Sequence, residues 1–267
     1  MPSEKNDWFN RGKFIKISSV MRNVLRIFFL FILLGGIAAI QIFAKSPVLV
    51  ELFTSQGCPT CPAADKILTD LEISQPIAEA EIITLAWHVD YWDSFGWKDE
   101  FASPVFSQRQ VAYSRALNIG ETYTPQMFVD GTTHFIGTKL DKATKAITNA
   151  AKSEKTEITL SLDKDKIKIS IPNLPKHERA TVFVAFVQNN LSRKIGRGNN
   201  AGKTLLHSSV ARDLRSVGSV EPQTQKFETE TFLQFQPVWE KENLNLIVFV
   251  QENGSRKILA VSRIKKL

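Results

Sequence analysis

The sequence predicts an α/β fold in the first half of the chain and a smaller β-rich domain in the second. Two apolar runs, residues 48–53 and 81–88, flank a segment with helical apolar periodicity at 64–71. This order predicts a strand–helix–strand crossover with parallel strands. From about Lys152 the periodicity becomes two, as in the isoleucines that alternate with polar residues over 166–171. That alternation is typical of strands with one face in water.

Both cysteines lie in the segment Gly57-Cys58-Pro59-Thr60-Cys61, between the first strand and the helix. A helix N-terminus stabilises a thiolate. A disulfide across so short a loop adds little stability, so the pair favours redox use over a structural one. We expect an exposed Cys58 to attack and Cys61 to resolve the mixed disulfide. The alternative is a resting disulfide without turnover.

The end of the second strand, residues 88–93, should lie beside the cysteine loop, because parallel strands of a crossover end at the same sheet edge. His88 has three interpretations: a hydrogen-bonded core residue, a charge partner of the cysteines, or a third ligand with Cys58 and Cys61 for a soft metal ion. Four side chains after the second strand are candidates for binding a substrate. The alternatives are that the acid caps the loop and that the aromatic rings pack beneath it. These candidates are Asp90, Tyr91, Trp92 and Trp97.

Turn and cap signals define the other elements. Ser103-Pro104 is a helix start and Asp130-Gly131 is a hairpin turn. The first half therefore continues with a helix from Pro104 to before Gly120, strands at 126–129 and 133–136, and a helix over 140–150. In the second half, strands are predicted at 166–171, 181–187, 227–235, 244–250 and 258–264. Several short strands separated by turns predict a β-sandwich-like domain.

This order of elements resembles the thioredoxin fold. The segments Cys58-Pro59-Thr60-Cys61 and 124–131 are most similar to those of glutaredoxins. The resemblance implies a cis peptide bond before Pro125, with Thr124-Pro125 lying against the dithiol. It also implies that Glu51, seven residues before Cys58, corresponds to the acid that such oxidoreductases keep beneath the second cysteine.

The chain also resembles a family of secreted bacterial thioredoxin-like proteins, the domain of unknown function 1223. The stretches that carry this resemblance are 50–58, 88–93, 97–99, 123–127 and 195–202. The family implies a fold and a location but no activity.

Residues 1–44 form a targeting segment. A basic stretch begins at Met21, a second candidate for the first residue; an apolar stretch follows at 27–40, and Ala44 offers a cleavage site. These parts predict a secretory signal or an uncleaved N-terminal anchor. The predicted organisation is thus 1–44 as the targeting segment, 45–153 as the thioredoxin-like domain and 154–267 as the β-rich domain.

The net charge and the spacing of two glycines argue against nucleic-acid binding and nucleotide binding. The net charge of +7 falls to +3 without residues 1–44, which gives nucleic-acid binding little support. Three residues rather than four separate Gly198 from Gly202, so a phosphate loop is not predicted, and His207, Arg212 and Asp213 are assigned to a surface loop.

We therefore expect an extracytoplasmic thiol–disulfide oxidoreductase acting on protein thiols or disulfides. It would be periplasmic or secreted, or held at the inner membrane by its N-terminal segment, and would use no cofactor and no metal. The alternative is a redox-inert binding module, or a metallochaperone using Cys58, Cys61 and His88.

Overall fold

Strands from both halves of the chain share one mixed sheet in the computed structural model, which describes residues 45–267. The predicted signal or anchor lies outside these residues. Within them, no helix is long and apolar enough to cross a bilayer. The strands are β1 (Ser46–Thr54), β2 (Ala80–His88), β3 (Gln126–Val129), β4 (Thr133–Ile136), β5 (Thr159–Asp163), β6 (Lys166–Ile171), β7 (Ala180–Gln188), β8 (Leu191–Lys194), β9 (Thr204–His207), β10 (Val210–Val220), β11 (Phe227–Phe232), β12 (Leu244–Glu252) and β13 (Ile258–Lys265). The helices are α1 (Cys61–Ser74), α2 (Pro104–Ala116) and α3 (Leu140–Ala150), with short 3-10 helices at Asp90–Phe95 and Lys241–Asn243.

The large sheet has the strand order β13-β12-β7-β10-β2-β1-β3-β4. β1 and β2 are parallel, with Thr54 opposite His88 at their ends, as the crossover pattern predicts. The cysteine loop and the segment after His88 therefore leave the same edge of the sheet. β3 and β4 form the expected antiparallel hairpin beside β1.

Strand β1 separates two cores. Val48, Val50 and Leu52 pack with residues of α1 and α3 on one face. Leu49 and Phe53 pack with residues of α2 on the other. Successive side chains of a strand point to opposite faces, so every odd position of β1 lies away from the helix that begins at the second cysteine.

The second half adds a second layer to the sheet. β11, β6 and β5 form a three-stranded antiparallel sheet. Its isoleucines at 167, 169 and 171 pack against Val182 and Val184 of β7. This is the sandwich-like packing expected from the alternation, and the whole is a mixed α/β fold in two parts. The division between residues 153 and 154 stays a prediction, since the strands of both halves hydrogen-bond within one sheet.

Strand β10 joins the two parts. It pairs with β2 through Val210 and Ala86 and with β7 along most of its length. Just before it, β8 and β9 pair only with each other. We call residues 191–207, which comprise β8, β9 and their connecting loop, the hairpin arm.

Candidate functional site

A disulfide joins Cys58 to Cys61 at the N-terminus of α1. Contrary to the expected exposure, Cys58 is only 1% exposed and Cys61 is fully buried. Pro59 and Thr60, between them, are exposed. The loop that carries Cys58 is held by a segment far away in sequence, the hairpin arm.

Two asparagines of the hairpin arm bind the backbone of the cysteine loop. The Asn200 side-chain amide donates to the carbonyl oxygens of Gln56 and Cys58, each at 2.9 Å. Asn199 donates to the carbonyl of Gly57, also at 2.9 Å. Three consecutive carbonyls are thus held by one loop. Asn200 is fully buried by this contact.

Gln56, two residues before Cys58, has every polar group bonded. Its N–H donates to Asp99 at 2.8 Å, and its side-chain oxygen accepts from the Trp97 indole at 2.8 Å. Its side-chain nitrogen lies 3.4 Å from Nε2 of His207, and its carbonyl accepts from Asn200. Segments distant in sequence therefore fix the entry to the cysteine loop.

Beneath this loop, His88 and Asp99 form a buried ion pair. Nδ1 of His88 lies 2.6 Å from Oδ2 of Asp99, and both side chains are fully buried. Burial alone lowers the pKa of His88, but the charge of Asp99 and its hydrogen bond outweigh burial and raise that pKa above its usual value. The same pairing holds the pKa of Asp99 below its usual range, although burial opposes it. Nε2 of His88 has no hydrogen-bond partner.

This geometry is that of the hydrogen-bonded core residue, the first of the three interpretations of His88. Within residues 45–267, no group of three His, Cys, Asp or Glu side chains is arranged to hold a metal ion.

Asp65 is the ionisable group on the same helix face as Cys61. It lies one turn further along α1, is 8% exposed, and accepts a 2.7 Å hydrogen bond from the Thr54 hydroxyl. Burial raises the pKa of Asp65 to about 6, and the charge of His88 partly opposes the rise. Nδ1 of His207 lies 3.8 Å away. Burial and the nearby His88 lower the pKa of His207 to about 3, so this contact joins a carboxylate to a neutral imidazole rather than two charges.

His207 is therefore part of the buried cluster, and the surface-loop assignment is wrong for it. It is 4% exposed and ends β9, because the arm folds inward over the cysteine loop. Arg212 and Asp213 are also not in a loop, since both belong to β10.

Glu51 does not lie beneath Cys61, so that expectation is wrong. As an odd position of β1 it faces α2, where its carboxylate accepts from Arg109 Nη2 at 2.6 Å and from the Trp87 indole at 2.9 Å. The Tyr113 hydroxyl is a third donor. Glu51 is a buried structural anion on the opposite face of the sheet.

The other sequence candidates divide into two groups. Trp92 packs against Gly57, where an added Cβ would meet it at 3.4 Å, and its indole donates to the Thr124 hydroxyl at 2.6 Å. The Thr124–Pro125 peptide bond is cis, as expected, and Pro125 is buried. Trp92, Trp97 and Thr124 therefore belong to the surroundings of the cysteine loop.

Asp90 and Tyr91 instead pack on α2. The backbone N–H of Asp90 donates to Ser107, and the Tyr91 hydroxyl donates to Gln110 at 3.1 Å. Sequence reasoning missed six residues of the site. They are Gln56, Asp65, Asp99, Asn199, Asn200 and His207.

Comparison with known proteins gives a family and a fold. The sequence profile of a family described as "Protein of unknown function (DUF1223)" matches residues 49–251. The crystal structure of protein AGR_C_4864 from Agrobacterium tumefaciens is similar, with a TM-score of 0.67 and 26% identity over 84% of this chain and 96% of that one. A domain of the outer membrane lipoprotein Omp28 from Porphyromonas gingivalis gives a TM-score of 0.23 and 15% identity over 42% of this chain and 95% of that one, too weak to bear on the fold. No functionally curated protein matches the chain.

Proposed function

The chain belongs to the DUF1223 family of unknown function, and on that premise we propose that it is a thioredoxin-like thiol–disulfide oxidoreductase acting on protein substrates. The observation that carries the proposal is the buried carboxyl of Asp65, one helical turn from Cys61. A buried carboxyl with a pKa of about 6 can both take up and release a proton near physiological pH. A purely structural disulfide has no need of such a group.

The chemistry is exchange through a mixed disulfide. A substrate thiolate attacks Sγ of Cys58, the Cys58–Cys61 bond breaks, and Cys61 leaves as a thiolate that takes a proton from Asp65. The second substrate thiol loses its proton to water, and its thiolate attacks the substrate sulfur and releases Cys58 as a thiolate; Asp65 regains a proton from water. The substrate dithiol becomes a disulfide and the protein disulfide becomes a dithiol. In reverse, Asp65 accepts the proton of Cys61 as that thiol attacks the mixed disulfide.

The surroundings of the disulfide support this assignment. The N-terminus of α1 favours the Cys58 thiolate, and Trp92 with Thr124-Pro125 lies at the loop where a substrate strand would approach. Outside the cytoplasm, where the basic and apolar N-terminal pattern would direct the chain or anchor it, a dithiol of this kind can cycle.

Trapping tests the proposal. The Cys61→Ser variant should accumulate mixed disulfides with envelope proteins through Cys58, because the resolving thiol is gone. Cys58→Ser is the matched control and should trap none. Equal, background-level trapping by both variants, with both folded, would refute the oxidoreductase assignment.

The second candidate is a redox-inert binding module. The burial of both cysteines favours it, since a thiolate must reach Sγ of Cys58 for exchange. A disulfide that resists dithiothreitol in the folded protein would support this candidate.

A further inference from the structure

The disulfide is buried, yet the proposed function requires protein substrates to reach it. An element of the protein must therefore control access to the disulfide. Cys58 is 1% exposed. Exchange requires the attacking sulfur to approach along the line of the S–S bond, which a folded protein surface cannot do here. The access problem rests on the proposed function, and the hairpin arm is the element that holds the backbone around Cys58 in place.

The hairpin arm is a separate two-stranded unit. Its two strands pair only with each other, outside the large sheet. Its connecting loop is closed on itself, with the N–H of Ile195 bonded to the carbonyl of Lys203 at 2.9 Å and the N–H of Gly202 to the carbonyl of Ile195 at 2.8 Å. These bonds keep the shape of the loop whether or not it touches the cysteine loop.

The hold of the arm on the cysteine loop is polar. Asn199 and Asn200 supply three side-chain hydrogen bonds, and Lys203 orients Asn200 through a 2.9 Å bond to its side-chain oxygen. Water can replace such partners when the contact opens. Ile195 and Leu205 are buried at the ends of the loop, so the arm stays anchored there.

The tip of the arm also packs against the loop at residues 95–97. Gly198 and Gly202 both have φ near +80°. Gly198 packs against Trp97 and the backbone of Phe95, where an added Cβ would meet Trp97 at 3.3 Å. The tip thus contacts both the loop at residues 95–97 and the cysteine loop.

We propose that the hairpin arm is the specificity-determining element of the disulfide site, with Asn200 as its positioning residue. The closed arm admits small thiols and cysteines in extended, unfolded polypeptide segments, and it excludes cysteines on folded protein surfaces. Asn200 acts through the cysteine loop that it holds and touches no reacting atom.

The test compares two reductants of the Cys58–Cys61 disulfide: dithiothreitol, which is small, and reduced thioredoxin, which is folded. In Asn200→Ala the rate with thioredoxin should rise about 30-fold, the factor that two ordinary hydrogen bonds represent. The rate with dithiothreitol should change far less. Asn200→Asp keeps the size of the side chain but removes the donor, and it should behave like Asn200→Ala.

Asn173→Ala is the matched control, because Asn173 is an exposed asparagine just after β6, outside the hairpin arm. If Asn200→Ala does not fold, Asn199→Ala, which loses one bond from an exposed position, should still raise the thioredoxin rate severalfold. Equal rates with the two reductants in the wild type, or equal acceleration of both in the variants, would overturn the role of the arm. A disulfide that neither reductant opens in any variant would instead refute the proposed function, and with it this inference.

Discussion

Replacing Asp65 by asparagine should make the folded protein more stable at neutral pH while slowing exchange. The carboxyl is buried on α1, and its pKa is raised from 3.8 to about 6. Between these values the native state holds a proton that the unfolded state has released. The ionised side chain therefore costs stability as pH rises through this window. Asparagine fills the same space, keeps an acceptor for the Thr54 hydroxyl and carries no charge.

The magnitude follows from the shift in pKa. A rise from 3.8 to about 6 is about 2.2 units, and at 1.36 kcal/mol per unit it corresponds to about 3 kcal/mol at pH values above the folded pKa. We expect Asp65→Asn to exceed the wild type by about 3 kcal/mol in free energy of unfolding at about pH 8. At about pH 5 the native carboxyl is mostly protonated, and the difference should be about half as large.

Urea denaturation of both proteins, oxidised, across this pH range measures the difference. Asp70→Asn is the matched control, because Asp70 is on the same helix but exposed and paired with Lys66 on the surface, where little change is expected. An Asp65→Asn variant that is less stable at every pH, or a difference that does not change with pH, would refute the assignment of a buried carboxyl titrating near neutrality. In parallel, the thiol–disulfide exchange rate of Asp65→Asn should no longer depend on pH at the acidic end of the range, because Cys61 has lost the carboxyl with which it exchanges a proton.

Three further predictions test the scaffold. Arg109→Met should lower the free energy of unfolding by about 3–5 kcal/mol in urea, because it leaves Glu51 buried without a cation; a cost below about 1 kcal/mol would contradict this. Gly131→Ala should lower the melting temperature far more than Gly202→Ala: both glycines have positive φ, but an added Cβ at Gly131 would lie 1.8 Å from a backbone oxygen and one at Gly202 would meet nothing within 4 Å. His207, whose pKa falls from 6.5 to about 3, should show an imidazole that stays neutral in NMR to about pH 5. Below about pH 6.5 only the unfolded state takes up a proton on this side chain. The free energy of unfolding should therefore fall as the pH is lowered further, and it should fall less in His207→Asn.

Most elements could be predicted from the sequence because their signals are local. The crossover, the hairpin at Asp130-Gly131 and the helix start at Ser103 each depend on residues close together in the chain. Strand β10 could not be predicted in this way. Two bulges shift its register against β7, and the charged residues Arg212 and Asp213 interrupt any apolar alternation.

The cysteines locate the candidate site in the sequence, but the expectation that Glu51 lies beneath Cys61 is wrong. The family resemblance implies Glu51, whereas the alternation of side-chain direction along β1 places that side chain on the face opposite α1. Asp65 carried a local signal, since it lies four residues after Cys61 within the apolar pattern of α1. Asn200 carried none, because its contact joins residues 142 positions apart.

That separation has a consequence for how the protein is made. At synthesis rates of about 5–20 residues per second, the cysteines precede the asparagine that shields them by roughly 7–28 s. Throughout that interval the carbonyls of the cysteine loop lack the amides that bind them in the folded protein. The three side-chain hydrogen bonds from the arm therefore form only after the cysteine loop and the whole of α1 have been synthesised.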